Sequence, residues 1–146
     1  RPKVEKYAKK NKLAKVTFID TMPFTDLVSF MQDANIIFGV FGNTIKTKMV
    51  IHNKIFQAIA LGRVLITQIT PAVKEILKND YDAMLVSPNA KSIAKEVLDL
   101  KENKAKMDYI SKNAIKTFSA NFTTARVGKQ AKETFELVLS TSLKKR

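Results

Sequence analysis

Ile36-Ile37-Phe38-Gly39-Val40-Phe41-Gly42 is an apolar run closed by two glycines, and its reading decides the fold. Residues 36–40 are apolar at every position, so the segment predicts a strand covered on both faces, as strands are inside a parallel sheet layered with helices. Working outward, Asn53 to Leu61 predicts a helix with Ile55, Phe56, Ala58, Ile59 and Ala60 inward and Gly62 as a left-handed cap. Val64 to Thr67 follows as another strand, Pro71 to Leu77 as a short helix with proline in its first turn, and Ala83 to Val86 as a further strand. Upstream, Val16 to Ile19 reads as a strand and residues 25–34 as a helix capped by Thr25, after a surface helix over 3–12. Downstream, Asn89 caps a long helix, a second carries Met107, Ile110, Ala114 and Phe118, and a last one starts at Thr123 or Thr124. Strands separated by helical stretches are βαβ units, so the fold class is α/β: a Rossmann-like parallel sheet with helices on both faces. The expected organisation is one α/β domain over 1–146, with residues 123–146 forming a terminal helix and basic tail.

The composition narrows the chemistry. There are 146 residues, 45 % hydrophobic and 27 % charged, with no cysteine and one histidine, His52. A disulfide scaffold, a zinc ribbon and a thiol nucleophile are excluded, as is any multi-histidine metal site. No apolar run approaches the roughly 20 residues that span a bilayer. The absence of cysteine makes a reducing, cytoplasmic setting the simple expectation. There is no initiator methionine and Arg1-Pro2-Lys3 runs straight into helical sequence, so the start reads as cut from something longer.

Net charge is +13, unevenly placed. Residues 1–15 hold seven bases and one acid, 16–42 three acids and no base, 43–63 four bases and no acid, and 91–146 thirteen bases and six acids. Such a field suits a polyanion, an anionic membrane face or the phosphates of a small ligand, while lysine serving only for solubility explains the terminal segments equally well.

Ligands of open α/β sheets bind beyond the carboxyl ends of the strands. This directs attention to residues 20–24, 41–53, 68–71 and 87–89. The second segment is the unusual one: after Gly39 and Gly42 come Asn43, Lys46 and Lys48, and then Asn53 and Lys54 at a helix start, where free N–H groups and the dipole favour phosphate. A diphosphate cradle and an ordinary tight turn before a helix are equally open from spacing alone, because no GxGxxG or GxxxxGK[ST] string is present. Gln57 lies one turn beyond Asn53, so both side chains can address the same site. His52 reads as a packed or solvated loop residue. Asp20, Asp26 and Asp33 are spaced too irregularly for a metal cluster.

Two strings, Asp33-Ala34-Asn35-Ile36-Ile37-Phe38-Gly39-Val40-Phe41-Gly42 and Val50-Ile51-His52-Asn53-Lys54-Ile55-Phe56-Gln57-Ala58-Ile59-Ala60-Leu61-Gly62-Arg63-Val64-Leu65-Ile66-Thr67, together resemble the carboxyl-terminal domain of group 1 (family 4) glycosyltransferases of the GT-B fold. The resemblance covers about residues 15–125. It implies a donor-nucleotide domain, half of a GT-B enzyme, that binds a UDP- or GDP-sugar for retaining transfer without metal or other cofactor. A separate amino-terminal domain would present a glycan or lipid-linked acceptor in cell-surface polysaccharide or lipid-linked glycan synthesis, so this chain alone would be inactive. Gln57 matches the second Glu of the family's paired-Glu donor motif, which holds ribose hydroxyls. Met49 occupies the first Glu position and departs from the motif, moving weight to Asn53, Lys54 and backbone groups. His52 stands where proline is usual, and Arg63-Val64 where Lys-Pro is. Glu75 matches a carboxylate common in its region, although stabilisation of a helix start explains it too. The donor set implied is Gly39, Gly42, Asn43, Asn53, Lys54, Gln57 and Glu75. In relatives the terminal helix leans across the interdomain cleft, so that of this chain is expected to lack its full packing partner. The basic ends would rest on an anionic inner leaflet.

The competing class is a basic nucleic-acid-binding module without catalysis, which would expose aromatics among its lysines. Phe18, Phe30, Phe38, Phe56 and Phe135 are expected on core faces instead, so a nucleic-acid partner is not expected. A receiver-like domain lacks its paired acidic residues.

Overall fold

The computed structural model describes residues 1–143; the tail Lys144-Lys145-Arg146 lies outside the described residues. The chain divides into two compact units, residues 1–30 and residues from Met31 onward.

In the first unit, α1 (Pro2–Lys10) opens on proline, whose missing N–H is no loss in a first turn. Ala8 is its one buried residue. The strand expected at Val16 to Ile19 does not form: the segment has no regular structure and no ladder partners, and Val16, Phe18 and Ile19 are exposed. A β-branched run alone gains little, since a strand is stabilised by the neighbour that pairs its backbone. Helix α2 (Phe24–Gln32) starts directly after Pro23, whose carbonyl accepts the Leu27 N–H, so Thr25 lies inside the first turn and does not cap it.

The second unit carries the sheet. Strands β1 (Ile36–Phe38), β2 (Val64–Gln68) and β3 (Met84–Val86) are parallel in the order β1-β2-β3, with Ile37 opposite Leu65 and Ile66 opposite Met84. Three strands form among the described residues, not the four expected. β1 is shorter than residues 36–40, although the Gly39 N–H to the Ile66 carbonyl and the Gln68 N–H to the Val40 carbonyl continue its pairing with β2, and as an edge strand it exposes Phe38. Residues 43–50, read as a loop, contain a five-residue helix, α3 (Ile45–Met49), because the Thr44 hydroxyl accepts the Thr47 N–H. Helices α4 (Asn53–Ala60), α5 (Pro71–Ile76), α6 (Ala90–Glu102), α7 (Lys104–Asn121) and α8 (Thr124–Leu143) complete the chain. Thr70, Asn89 and Asn103 cap α5, α6 and α7, their side-chain oxygens accepting the N–H of Val73, Ser92 and Lys106 respectively.

The alternation along β2 sorts the core onto two faces. Leu65 packs with Ile55, Ala58 and Ile59 of α4, with Val73, Leu77 and Leu85, and with Ala114 of α7. Val64 and Ile66 join Met84, Val86, Leu100 of α6 and Ile110 of α7. All five β2 residues are buried, as the layered parallel sheet requires. Gly62 turns the chain from α4 into β2 at φ +61°, and a Cβ there would strike the Ile115 side chain at 2.5 Å, so both conformation and space demand glycine. Asp82 is buried but satisfied: it accepts the Lys78 N–H at 2.7 Å and the Thr117 hydroxyl at 2.8 Å.

The expected burial of phenylalanine is corrected at four positions. Phe18, Phe30, Phe38 and Phe135 are exposed, and only Phe56 is covered, edge-on to Phe122 at 5.2 Å. Apolar periodicity marks a face that needs covering, and these faces lack cover among the described residues. The terminal helix α8 shows this most, with Val127, Phe135, Val138 and Leu139 all half exposed or more.

Candidate functional site

A helix that links parallel strands runs antiparallel to them, so α4 begins at the carboxyl edge of the sheet and ends where β2 starts. Helices α5 and α6 follow β2 and β3 directly and begin at the same edge. The positive ends of three helices therefore gather beyond Phe38, Gln68 and Val86. Exposed Lys46, Lys48 and Lys54 add full charges, and no acid occurs between residues 43 and 63.

The loop that leaves β1 is locked to the end of β2. Gly39 N–H donates to the Ile66 carbonyl at 2.8 Å, Val40 N–H to the Thr67 hydroxyl at 3.3 Å, and Gly42 N–H to Gln68 Oε1 at 2.8 Å. Gly39 is buried, and a Cβ on it would lie 2.2 Å from Thr67 Oγ1. Its lack of a side chain thus serves close packing against β2, and its N–H is spent in the ladder. Gly42 likewise has its N–H engaged, so the two glycines shape the loop while the donors available to an anion lie elsewhere.

Those donors lie at the start of α4. His52 occupies the N-cap position without capping through its side chain, so the first N–H groups of the helix have no side-chain acceptor. Asn53 and Lys54 are exposed, and Gln57 is half buried one turn along. The His52 Nε2 atom is buried with no hydrogen-bond partner, in a half-buried ring. Asn43 is exposed in the loop before α3. Glu75 is set apart: it sits in the last turn of α5, not at a helix start, and lines a crevice with Lys78, Tyr81, Lys116 and Asn121. Carboxyl-edge topology thus brings Gly42, Asn43, Asn53, Lys54 and Gln57 to one end of the sheet, and Glu75 faces a different surface.

The sequence reading placed Gln68 at the head of the 68–71 segment without a role and gave Thr67 none. Both are buried polar residues ending an apolar strand, at 4 % and 1 % exposure, and they hold the β1 loop in place. The signal was present, since polar residues closing a buried strand need partners. Their partners lie 26 and 27 positions upstream, which spacing does not show.

Among the described residues no group of acids and histidines is arranged to hold a metal ion, and no helix is long and apolar enough to cross a membrane. The family described as "Glycosyl transferase-like" matches residues 4–133. No curated protein sequence matches significantly. Among solved structures, a glycosyltransferase from Rickettsia africae superposes with a TM-score of 0.81 at 17 % identity, over 94 % of this chain and 36 % of that one. Sucrose-phosphate synthase from Thermosynechococcus elongatus gives 0.80 at 16 % identity, over 96 % and 34 %. HepE of Anabaena in complex with UDP-glucose gives 0.80 at 16 %, over 92 % and 36 %. The chain spans about a third of the length of these solved chains. At such identities the likeness shows the fold, which is that of the GT-B glycosyltransferases.

Proposed function

The chain belongs to the glycosyl transferase-like family, and from that premise we propose that it is the donor-binding part of an enzyme that transfers a sugar from a nucleotide diphosphate. The observation that carries the reading is the uncapped, lysine-flanked start of α4 at the carboxyl edge of the sheet. The diphosphate would meet the free N–H groups of α4, the Asn53 amide and the Lys54 ammonium. Gln57, one turn deeper, would address the ribose hydroxyls, and Asn43 would close over the phosphates from the loop that Gln68 fixes. The complexes of HepE with UDP-glucose and with UDP support a uridine donor, with GDP-sugars as the other candidate.

Transfer would proceed with retention and without a metal, the leaving diphosphate being met by lysine charge and helix dipole. The acceptor, a glycan or lipid-linked sugar for surface polysaccharide, would be held by a second domain. Transfer needs acceptor and anomeric carbon in near-attack geometry, so the 146-residue chain alone would bind donor and not turn it over. Basic α1, with Val4 and Tyr7 exposed among its lysines, suits an anionic membrane surface on the cytoplasmic side. The exposed phenylalanines remove aromatic burial as an argument against a nucleic-acid module, so the preference for a sugar donor rests on the family and on the α4 geometry.

Calorimetric titration of the chain with UDP tests the reading. Lys54→Ala should weaken binding by about 1–3 kcal/mol, the range for a charge-assisted contact. Unchanged affinity would remove Lys54 from the site, and single-stranded RNA bound more tightly than UDP would favour the nucleic-acid module.

A further inference from the structure

The amino edge of the same sheet holds a second concavity, about 510 Å³ in volume, inside the range usual for small-molecule sites. Its floor is aliphatic, formed by Ile36 and Val64 at the strand starts, Val97 of α6 and Met107 of α7. Its rim carries Arg63, Lys101 and Lys104 against one carboxylate, Asp108. The length of β2 sets this pocket about 13 Å from the Gln68 end, at roughly 3.3 Å per residue.

Arg63 is the distinctive member. The turn that presents it is locked: its N–H donates to the Ala58 carbonyl at 2.9 Å, and the Ser111 hydroxyl donates to the Gly62 carbonyl. Its Nε is buried and has no hydrogen-bond partner. Among the described residues no carboxylate lies within ion-pair distance of Arg63 or Lys104, and Lys101 reaches only the adjacent Glu102, at 3.9 Å and largely exposed. Because Nε is buried in a half-buried residue, Arg63 offers an oxyanion in the pocket its Nη groups, while Nε stays unpaired behind them.

We propose that this pocket binds a phosphate monoester carrying an aliphatic body. The guanidinium fork matches two phosphate oxygens, the two lysines balance the second negative charge, and the alkyl part covers the apolar floor. Asp108 disfavours a more highly charged anion and can accept from a hydroxyl of the ligand. The site is independent of the donor reading, since it lies at the opposite edge of the sheet.

The test is calorimetry of the chain with hexyl phosphate, inorganic phosphate and hexanol, beside co-sedimentation with phosphatidylcholine vesicles with and without phosphatidic acid. Hexyl phosphate should bind saturably, inorganic phosphate more weakly and hexanol not at all. Arg63→Gln should weaken hexyl phosphate by about tenfold or more, Arg63→Lys by less, with UDP affinity unchanged in both. If Arg63→Gln lowers the melting temperature enough to confuse the result, exposed Lys104→Ser carries the same comparison. Sedimentation that depends on phosphatidic acid and on Arg63, without hexyl phosphate binding, identifies the ester as a lipid headgroup; the converse identifies a soluble ester. Absence of both, or binding indifferent to Arg63 and Lys104, overturns the proposal.

Discussion

Helices α4 and α8 are both amphipathic, yet Ile55, Ala58 and Ile59 of α4 are at most 1 % exposed while Phe135, Leu137 and Leu139 of α8 are more than 60 % exposed. The sequence of each calls for a covering layer. α4 finds it in β2 and α7, whereas the extensive packing of α8 among the described elements is against α7 alone. Apolar periodicity therefore states a demand, and the surrounding chain decides whether it is met. The same contrast separates β2, buried at every residue, from Val16 to Ile19, which has the composition of a strand and no ladder.

The largest expected effect sharpens that difference. Ile59→Ala opens a cavity between helix and sheet and should cost about 2–5 kcal/mol in denaturant unfolding. Phe135→Ala removes a larger side chain and should change stability by less than about 0.5 kcal/mol, as surface substitutions do. Equal losses would show that α8 is packed in solution.

Gly62→Ala is expected next in size. The positive φ and the Ile115 side chain both oppose a Cβ, so stability should fall by about 1–3 kcal/mol, read as a lower midpoint at constant m. The control is Gly128→Ala in α8, where nothing lies within 4 Å of the added carbon. It should be neutral or stabilising, since alanine is the better helix former.

The smallest effect concerns the start of α7. Lys106 donates to Asp99 at 2.8 Å and lies 3.1 Å from Asp80. The hydrogen bond to Asp99, followed by the one to Asp80, raises its pKa above the ordinary 10.5 despite partial desolvation. A raised lysine contributes stability that is fully present below the unfolded-state pKa and is lost as pH rises through the folded value. The stability gap between the wild type and Lys106→Met should thus be constant near neutrality and close above about pH 10.5. A gap independent of pH would mean that packing of the lysine stem accounts for it.

How much could be read in advance follows from range. The order of the helices other than α3, the β2 strand, the Asn89 cap and the Gly62 turn were legible, because each depends on residues within a few positions. The placement of Asn53 and Lys54 at a helix start on the carboxyl edge of the sheet was legible as well. The Gln68 latch on Gly42 and the role of Gly39 as a space for Thr67 were not, since both are contacts between segments far apart in sequence. The edge position of β1 was hidden too: three apolar residues look the same whether or not a strand lies on either side.

Amide chemical-shift mapping of the chain with UDP addresses the central claim directly, that the carboxyl edge is the nucleotide site. Saturable shifts are expected at Gly42 and Asn43 and along Asn53 to Gln57, with Arg63, Lys101 and Lys104 unmoved. Shifts confined to the amino edge, or none at nucleotide concentrations that saturate a calorimetric titration, would contradict it.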